Sequence, residues 1–301
     1  MILPNFIIAG VICGGTSYLS TALKQHPDIY LPRIQRPEPN FFHYTWKYQK
    51  GIKWYSKELF SEISDEHSIG ERSSLLLTSE VAISRIKKHI PNTKLIFSLR
   101  NPIERAWANY RYTVLEGLEN LSFEDALNQE KTRKEESTGK WKEVLPYAYL
   151  ERSFYSHQLT RYIEEFGEKN ILIVCSEDLS KNPSFTLSKI CDFLDVSNDF
   201  NFQDIPNYSS PSVINISLQE KLRNYFGDRY ADISECIREE QDLEKLVIDD
   251  DDRIKIYRLR DNLKKGKDPI NNNDRQKLQN LLGKEIEEVE KIVDFSIKHW
   301  K

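Results

Sequence analysis

Residues 5–25 read NFIIAGVICGGTSYLSTALKQ, an apolar run that stops at a glycine-rich turn and passes into an amphipathic pattern. Asn5 to Ala9 is a short buried-strand pattern, and Tyr18, Leu19, Ala22 and Leu23 recur at helical spacing. Gly10, Gly14 and Gly15 supply the backbone freedom a tight turn needs. Strand, loop and helix in that order present free backbone amides at a helix N-terminus, where the positive end of the helix dipole favours an anion. Thr16 and Ser17 add hydroxyl donors, so the chemistry that suits this stretch is holding a phosphate. The spacing from Gly10 to Ser17 is that of the G-x-x-x-x-G-K-[ST] loop, with Thr16 in the lysine position. A nucleoside triphosphatase uses that lysine to neutralise charge between the outer phosphates, which disfavours an ordinary ATPase or GTPase. The alternative is a turn whose glycines serve packing alone.

The 301 residues suffice for one large domain or two small ones with a substantial core. With 43 Lys and Arg against 47 Asp and Glu, a broad basic face for nucleic acid is disfavoured, and any anion site must be local. Cys13, Cys175, Cys191 and Cys236 are scattered without a C-x-x-C pair, which fits a reducing compartment and gives no zinc-site spacing. The apolar start lacks a basic n-region and meets the glycine loop too early for a signal peptide or membrane span. A soluble cytoplasmic protein with no transmembrane segment and no metal is expected.

Beyond the first helix, QHPDIYLP reads as a turn and short strand, and RIQRPEPNFFHYTW as a proline-rich aromatic loop of the kind that lines a site. Glu38 lies between Pro37 and Pro39, where few backbone choices remain; the alternative is a solvated loop acid. Residues 48–60 carry helical spacing, a strand is expected at Ser68–Gly70, and Glu71 and Arg72 stand at its end as a site candidate or a surface ion pair. A helix is read over 79–90. TKLIFSLRNPIERAWANYRY then gives a strand running into Arg100, Asn101 and Pro102, with the proline at the first helical position. Arg100 thus stands at the carboxyl end of a central strand, where its fork suits a phosphate or a loop carboxylate.

Ser122 and Asp125 form a near capping box for a helix over 122–134, and the charged 130–142 reads as a mobile surface excursion. A long helix is expected from Tyr147 to Phe166, then a buried strand in NILIVC and another helix. The alternation predicts an α/β fold: a P-loop-like doubly wound parallel sheet of about four strands, flanked by helices, over 1–196. Residues 197–301 read as a helical C-terminal extension packed on that core. Within it, 221–237 and 277–293 align on Lys, Leu, Asn and Gly, a pattern that any two amphipathic helices can share.

Taken together, the chain resembles the sulfotransferases that use 3′-phosphoadenosine 5′-phosphosulfate (PAPS), in the branch of the heparan-sulfate and bacterial carbohydrate enzymes. GVICGGTSYLSTALKQHPDIYLP resembles the family's 5′-phosphosulfate loop, RPEPNFF its KEPHFF segment, GERSS its GEKTP, and LRNPIERAWANYRY its 3′-phosphate motif. The resemblance covers most of residues 5–195 and reappears at Trp300. It implies transfer of a sulfuryl group from PAPS to a hydroxyl of a carbohydrate or other small acceptor. Gly14, Gly15, Thr16 and Ser17, with Cys13 in the same loop, would bind the 5′ end of the donor. Arg100, with Asn109 and Tyr155, would bind its 3′-phosphate side; Glu38 would be the general base and Arg72 the cation beside it. The chain departs from the family at Cys13, where the loop usually carries Lys or Arg, at Ala108, usually Ser, and at Ser153, usually Gly. The competing readings are a catalytically silent module that binds the same nucleotide and, more remotely, a P-loop kinase.

Overall fold

A computed structural model describes residues 1–33, 37–205 and 210–300. Five parallel strands form one sheet: β1 Phe6–Gly10, β2 Ile29–Tyr30, β3 Ser68–Arg72, β4 Lys94–Leu99 and β5 Ile171–Cys175, in the order β2-β3-β1-β4-β5. The sheet has five strands where about four were expected, and its edge strand β2 is the short strand read in QHPDIYLP. β1 is flanked by β3, with Ile8 opposite Arg72, and by β4, with Gly10 opposite Ser98. From β1 the chain runs to the edge strand β2, returns to β3 beside β1 and then crosses to β4 on the other side, so the winding reverses beside β1. Ligands of open parallel sheets bind beyond the carboxyl ends at that reversal, which is where the glycine loop sits.

Phe6, Ile7, Ile8 and Ala9 are fully buried, because a parallel strand covered on both faces has no solvent side on which to place polar residues. Burying each large side chain contributes about 1.5–3 kcal/mol. On one face Phe6, Ile8 and Ile96 pack with Leu19 and Leu23 of α1 (Thr16–Leu23) and with Leu187 and Ile190 of helix Pro183–Leu194. Gly70 is required by its neighbour: a Cβ there would lie 2.1 Å from the Phe6 ring.

The chain divides into two compact units, interleaved in sequence where a single division at residue 196 was expected. One comprises Met1–Arg105, Glu151–Pro206 and Gln279–Lys301 and contains the whole parallel sheet. The other comprises Ala106–Leu150 and Asn207–Leu278. Its core gathers Leu222, Phe226, Tyr230, Ile233, Ile256 and Leu259, and it carries an antiparallel pair, β6 Ser212–Val213 with β7 Leu263–Lys264. Composition marks where strong strand patterns cease; it does not show which later helix returns to which core.

Two local expectations are corrected. The charged stretch after residue 130 is not an excursion, since helix Phe123–Glu136 runs through it and helix Trp141–Val144 follows. Its charges have partners: Arg133 forks onto the fully buried Glu119 at 2.6 and 3.1 Å. The helix expected from Tyr147 begins only at Tyr155, after a 3-10 turn at Glu151–Ser153. The Leu150 amide is drawn out of a helical ladder by the Glu130 carboxylate, 2.7 Å away. The aligned segments 221–237 and 277–293 share only the pattern common to amphipathic helices, as expected, because the first breaks at Gly227 between two helices and the second lies mostly within helix Asn272–Glu290.

Candidate functional site

The glycine loop is held from below by β4. Ser98, opposite Gly10 in the sheet, donates its hydroxyl to the Gly14 carbonyl, and the Gly14 amide closes a turn on Val11 at 2.9 Å. A Cβ on Gly14 would lie 2.7 Å from the Ser98 carbonyl oxygen and 2.8 Å from Val11 Cγ2, so only glycine lets the loop lie this close to the strand. Gly15, at φ 86°, is the N-cap of α1 and offers no side-chain cap. The first amides of α1 are therefore not capped by that residue, and they emerge where the dipole favours an anion. Thr16 is buried and Ser17 exposed at this helix start.

Arg72, the last residue of β3, reaches across to this loop. Its Nη1 donates to Ser17 Oγ, and its Nε faces Glu38 Oε1 at 3.4 Å. The guanidinium side chain is 4% exposed and that of Glu38 is 18% exposed, so the pair is shielded without being sealed. The other Glu38 oxygen accepts from the Ser74 amide at 2.8 Å, the Ser74 hydroxyl at 2.7 Å and Asn40 Nδ2 at 3.3 Å. Lys47 donates to the Glu38 and Pro39 carbonyls at 2.8 and 2.7 Å and so fixes the backbone that carries the carboxylate. Glu38 is thus an oriented carboxylate beside a cation, not a solvated loop acid. Arg36, the first residue of RPEPNFF, lies outside the described residues.

Arg100 follows β4, and its Nη1 donates to the Cys13 carbonyl at 3.3 Å. Cys13 sits in the left-handed region at φ 66°, which turns that carbonyl towards Arg100. The Arg100 carbonyl accepts from the Tyr155 hydroxyl at 3.0 Å. Tyr155 is fully buried, and burial also pushes its phenol far up, so this side chain holds the Arg100 loop in place with its hydroxyl already engaged. Asn101 continues the frame: its amide donates to Glu177 Oε1 at 2.9 Å, and its side chain accepts from the Ile103 amide at 3.0 Å, capping the helix that opens at Pro102. Ser153 has a positive role here. Its hydroxyl accepts from the buried Arg105 Nε at 2.9 Å and donates to the Pro102 carbonyl at 3.0 Å, a link that glycine could not make.

The sheet-bearing unit therefore brings together Cys13 to Ser17, Glu38, Arg72, Arg100 and Tyr155. Asn109 falls in the other unit, where it is buried with its side-chain amide 3.4 Å from the Thr113 hydroxyl.

Sequence reasoning takes Glu71 with Arg72 as a site candidate or a surface ion pair and leaves its burial unread. This neighbour of Arg72 is fully buried, with Ser73 donating to both its oxygens at 2.9 and 3.1 Å. Loss of water raises its pKa to about 7; the Ser73 hydrogen bonds oppose that rise and the nearby Glu38 charge adds to it. The Tyr55 phenol, itself raised by burial and by the Glu71 charge, is a close neighbour that closes no well-formed hydrogen bond. Ser74 and Ser98 were also unread. The only signal for them was their place in GERSS and at the end of an apolar strand.

With this geometry in hand, comparison with known proteins is direct. Residues 3–223 match the family described as "Sulfotransferase domain". A human heparan sulfate glucosamine 3-O-sulfotransferase 3B1 is 29% identical over 192 residues, covering 64% of this chain and 46% of its own length. The membrane-associated sulfotransferase kil1 of Dictyostelium discoideum is 24% identical over 300 residues, covering 74% of this chain and 63% of its own. The chain thus spans about half to two thirds of the length of these curated relatives. The crystal structure of a sulfotransferase from Alicyclobacillus acidocaldarius superposes with a TM-score of 0.61 at 28% identity, covering 81% of this chain and 99% of that one. A match over residues 3–223, joined to a parallel sheet with its loop at the strand reversal, means that the chain belongs to the sulfotransferase-domain family.

Proposed function

We propose that the protein transfers a sulfuryl group from PAPS to a hydroxyl of a carbohydrate or other small acceptor. The observation that carries the reading is the Arg72 guanidinium, which touches the loop at Ser17 and the carboxylate at Glu38. One cation thereby joins the place suited to the donor's phosphates to the place suited to the acceptor's proton. The donor fits the residues present, since the first amides of α1 have no side-chain cap at Gly15 and Arg100 stands at the same sheet end. When bound, the donor supplies the sulfuryl group, whose bond to the 5′-phosphate oxygen breaks as a bond to the acceptor oxygen forms.

The chain's residues then divide the work. Glu38 takes the acceptor hydroxyl proton as that oxygen becomes the nucleophile. Arg72 and the α1 amides face the electron pair that collects on the departing phosphate, and the rigid frame holds the reacting groups in line. Arg100 binds the 3′-phosphate, with its loop held by Tyr155 and Glu177. A carbohydrate acceptor is supported by the kind of relative found, a heparan sulfate glucosamine sulfotransferase. All four cysteines are free, which supports a reducing, cytoplasmic setting, and among the described residues no helix is long and apolar enough to cross a membrane.

Glu38→Gln tests the reading. The amide keeps the size and the Ser74 contacts but cannot take a proton. Affinity for 3′-phosphoadenosine 5′-phosphate measured by calorimetry should stay near the parent value, while turnover on an accepted sugar falls by about two to four orders of magnitude. Turnover within a few fold of the parent would remove Glu38 from the reaction.

A further inference from the structure

The fold assembles a second constellation of ligand atoms that the sequence spacing does not reveal. Cys175 ends β5, Glu177 stands two residues beyond it, and His299 arrives from the turn Lys298–Trp300. The thiol sulfur, one carboxylate oxygen and one imidazole nitrogen lie within 4.8 Å of one another. Cys175 Sγ is 3.0 Å from Glu177 Oε2 and 3.8 Å from His299 Nε2. With metal–sulfur bonds of about 2.3 Å and metal–nitrogen or metal–oxygen bonds of about 2.0–2.2 Å, the edges of a tetrahedral zinc site measure roughly 3.3–3.7 Å. The two distances fall on either side of that range, so shifts of a few tenths of an ångström would bring both into it.

We propose that Cys175, Glu177 and His299 form a three-ligand site for a thiophilic divalent cation of the zinc class, with the fourth position open to water. Sulfur, imidazole and a single carboxylate form a donor set that suits zinc and disfavours magnesium or calcium, which take mainly oxygen ligands. Cys175 is 2% exposed and His299 is exposed, so the ion enters from the histidine side. The carboxylate is already oriented. Glu177 Oε1 accepts the Asn101 amide at 2.9 Å, and Oε2 faces the thiol while also accepting from the Ser176 hydroxyl at 3.3 Å, outer hydrogen bonds of the kind that fix metal ligands. Asn101 also donates its side-chain amide to the Trp300 carbonyl at 3.3 Å. An ion here would clamp the C-terminal turn to the backbone that follows Arg100. The competing account is a thiol that donates to Glu177 Oε2 and merely neighbours the imidazole.

Titration of the full chain with cobalt(II) chloride and zinc chloride separates the two. The proposal requires one cobalt per chain, a sulfur-to-cobalt charge-transfer band, visible bands of tetrahedral intensity, displacement of cobalt by zinc, and a zinc-dependent rise in melting temperature. Cys175→Ser should abolish the charge-transfer band. His299→Gln, at an exposed position that leaves the core intact, should weaken zinc binding by at least about tenfold. If Cys175→Ser does not fold, His299→Gln decides alone. A parent without the charge-transfer band, a band that survives in Cys175→Ser, or zinc affinity unchanged in His299→Gln would each overturn the site.

Discussion

Replacing Glu71 by glutamine should remove a pH dependence that this one carboxyl imposes on the stability of the whole sheet-bearing unit. Glu71 is fully buried, and desolvation lifts its pKa from the ordinary 4.5 to about 7. A carboxyl held above its unfolded pKa binds its proton more tightly in the folded state. Its stabilising contribution is therefore complete below about pH 4.5 and disappears as the pH rises through about 7. At about 1.36 kcal/mol per pH unit, the span from 4.5 to about 7 corresponds to about 3 kcal/mol, of which about 2.5 kcal/mol is lost between pH 5 and pH 8. Glutamine mimics the neutral carboxyl in size and polarity and does not titrate.

Urea unfolding of parent and Glu71→Gln across pH 5–8 reads the difference directly, because every other titrating group is common to both proteins. The parent's stability relative to the variant should fall by about 2.5 kcal/mol over that interval. Parallel pH profiles would refute the reasoning and show that Glu71 stays ionised in the fold through contacts that outweigh its burial.

Three further outcomes follow from the geometry. Arg100→Ala should weaken binding of 3′-phosphoadenosine 5′-phosphate by roughly 1.5–3 kcal/mol and of 5′-AMP much less, measured by calorimetry; equal losses would assign Arg100 to holding the Cys13 loop instead. Gly70→Ala should destabilise the fold by about 1–3 kcal/mol in urea unfolding, because the new methyl meets the Phe6 ring at 2.1 Å, and Phe6→Leu in the same chain should recover part of the loss. Arg72→Ala should abolish measurable sulfuryl transfer, a loss of about 3–4 kcal/mol of transition-state stabilisation or more, whereas Cys13→Lys raises turnover only modestly. Donor hydrolysis that appears only after Cys13→Lys, from a parent that binds donor without turnover, would instead mark the parent as a silent nucleotide binder.

What was legible in the sequence was what depends on short stretches. β1, β4 and β5 announce themselves because a strand buried on both faces has to be apolar throughout, and Pro102 marks the helix that follows Arg100 because its missing amide costs nothing at a first turn. The segments RPEPNFF and GERSS placed Glu38 and Arg72 as separate candidates. Their contact with each other and with Ser17 depends on β3 lying beside β1, which no local pattern encodes. The burial of Glu71 was unreadable for a similar reason: a glutamate next to an arginine at a strand end reads equally as a site candidate or a surface pair until Tyr55 and Ser73 close over it. The helix expected over 122–134 is present and runs on to Glu136; the stretch was misread as an excursion because its charges looked solvent-bound, whereas Arg133 reaches the buried Glu119 and the buried Glu130 accepts the Leu150 amide. The Cys175, Glu177 and His299 grouping joins the end of β5 to a turn more than a hundred residues later, and only the fold supplies that spacing.

The location of the cation bears on how the site works. A lysine or arginine at position 13 would stand on the loop itself, on a backbone that only turns and hydrogen bonds restrain. Arg72 stands instead on β3, with its side chain buried and its two ends tied to Ser17 and Glu38. A charge held in that way need not reorganise when the leaving phosphate gathers electrons, and fixed charge of this kind acts without the cost of turning dipoles during the reaction. The same tether has a second consequence. On the proposed mechanism, Glu38 would lose its negative charge on taking the acceptor's proton, its hold on Arg72 Nε would weaken, and more of the guanidinium's positive charge would be left for the phosphate side. Proton uptake at one end and charge stabilisation at the other would then be coupled through a single side chain, so an arginine acting in place of the loop lysine would supply a link between base and leaving group that a loop cation could not.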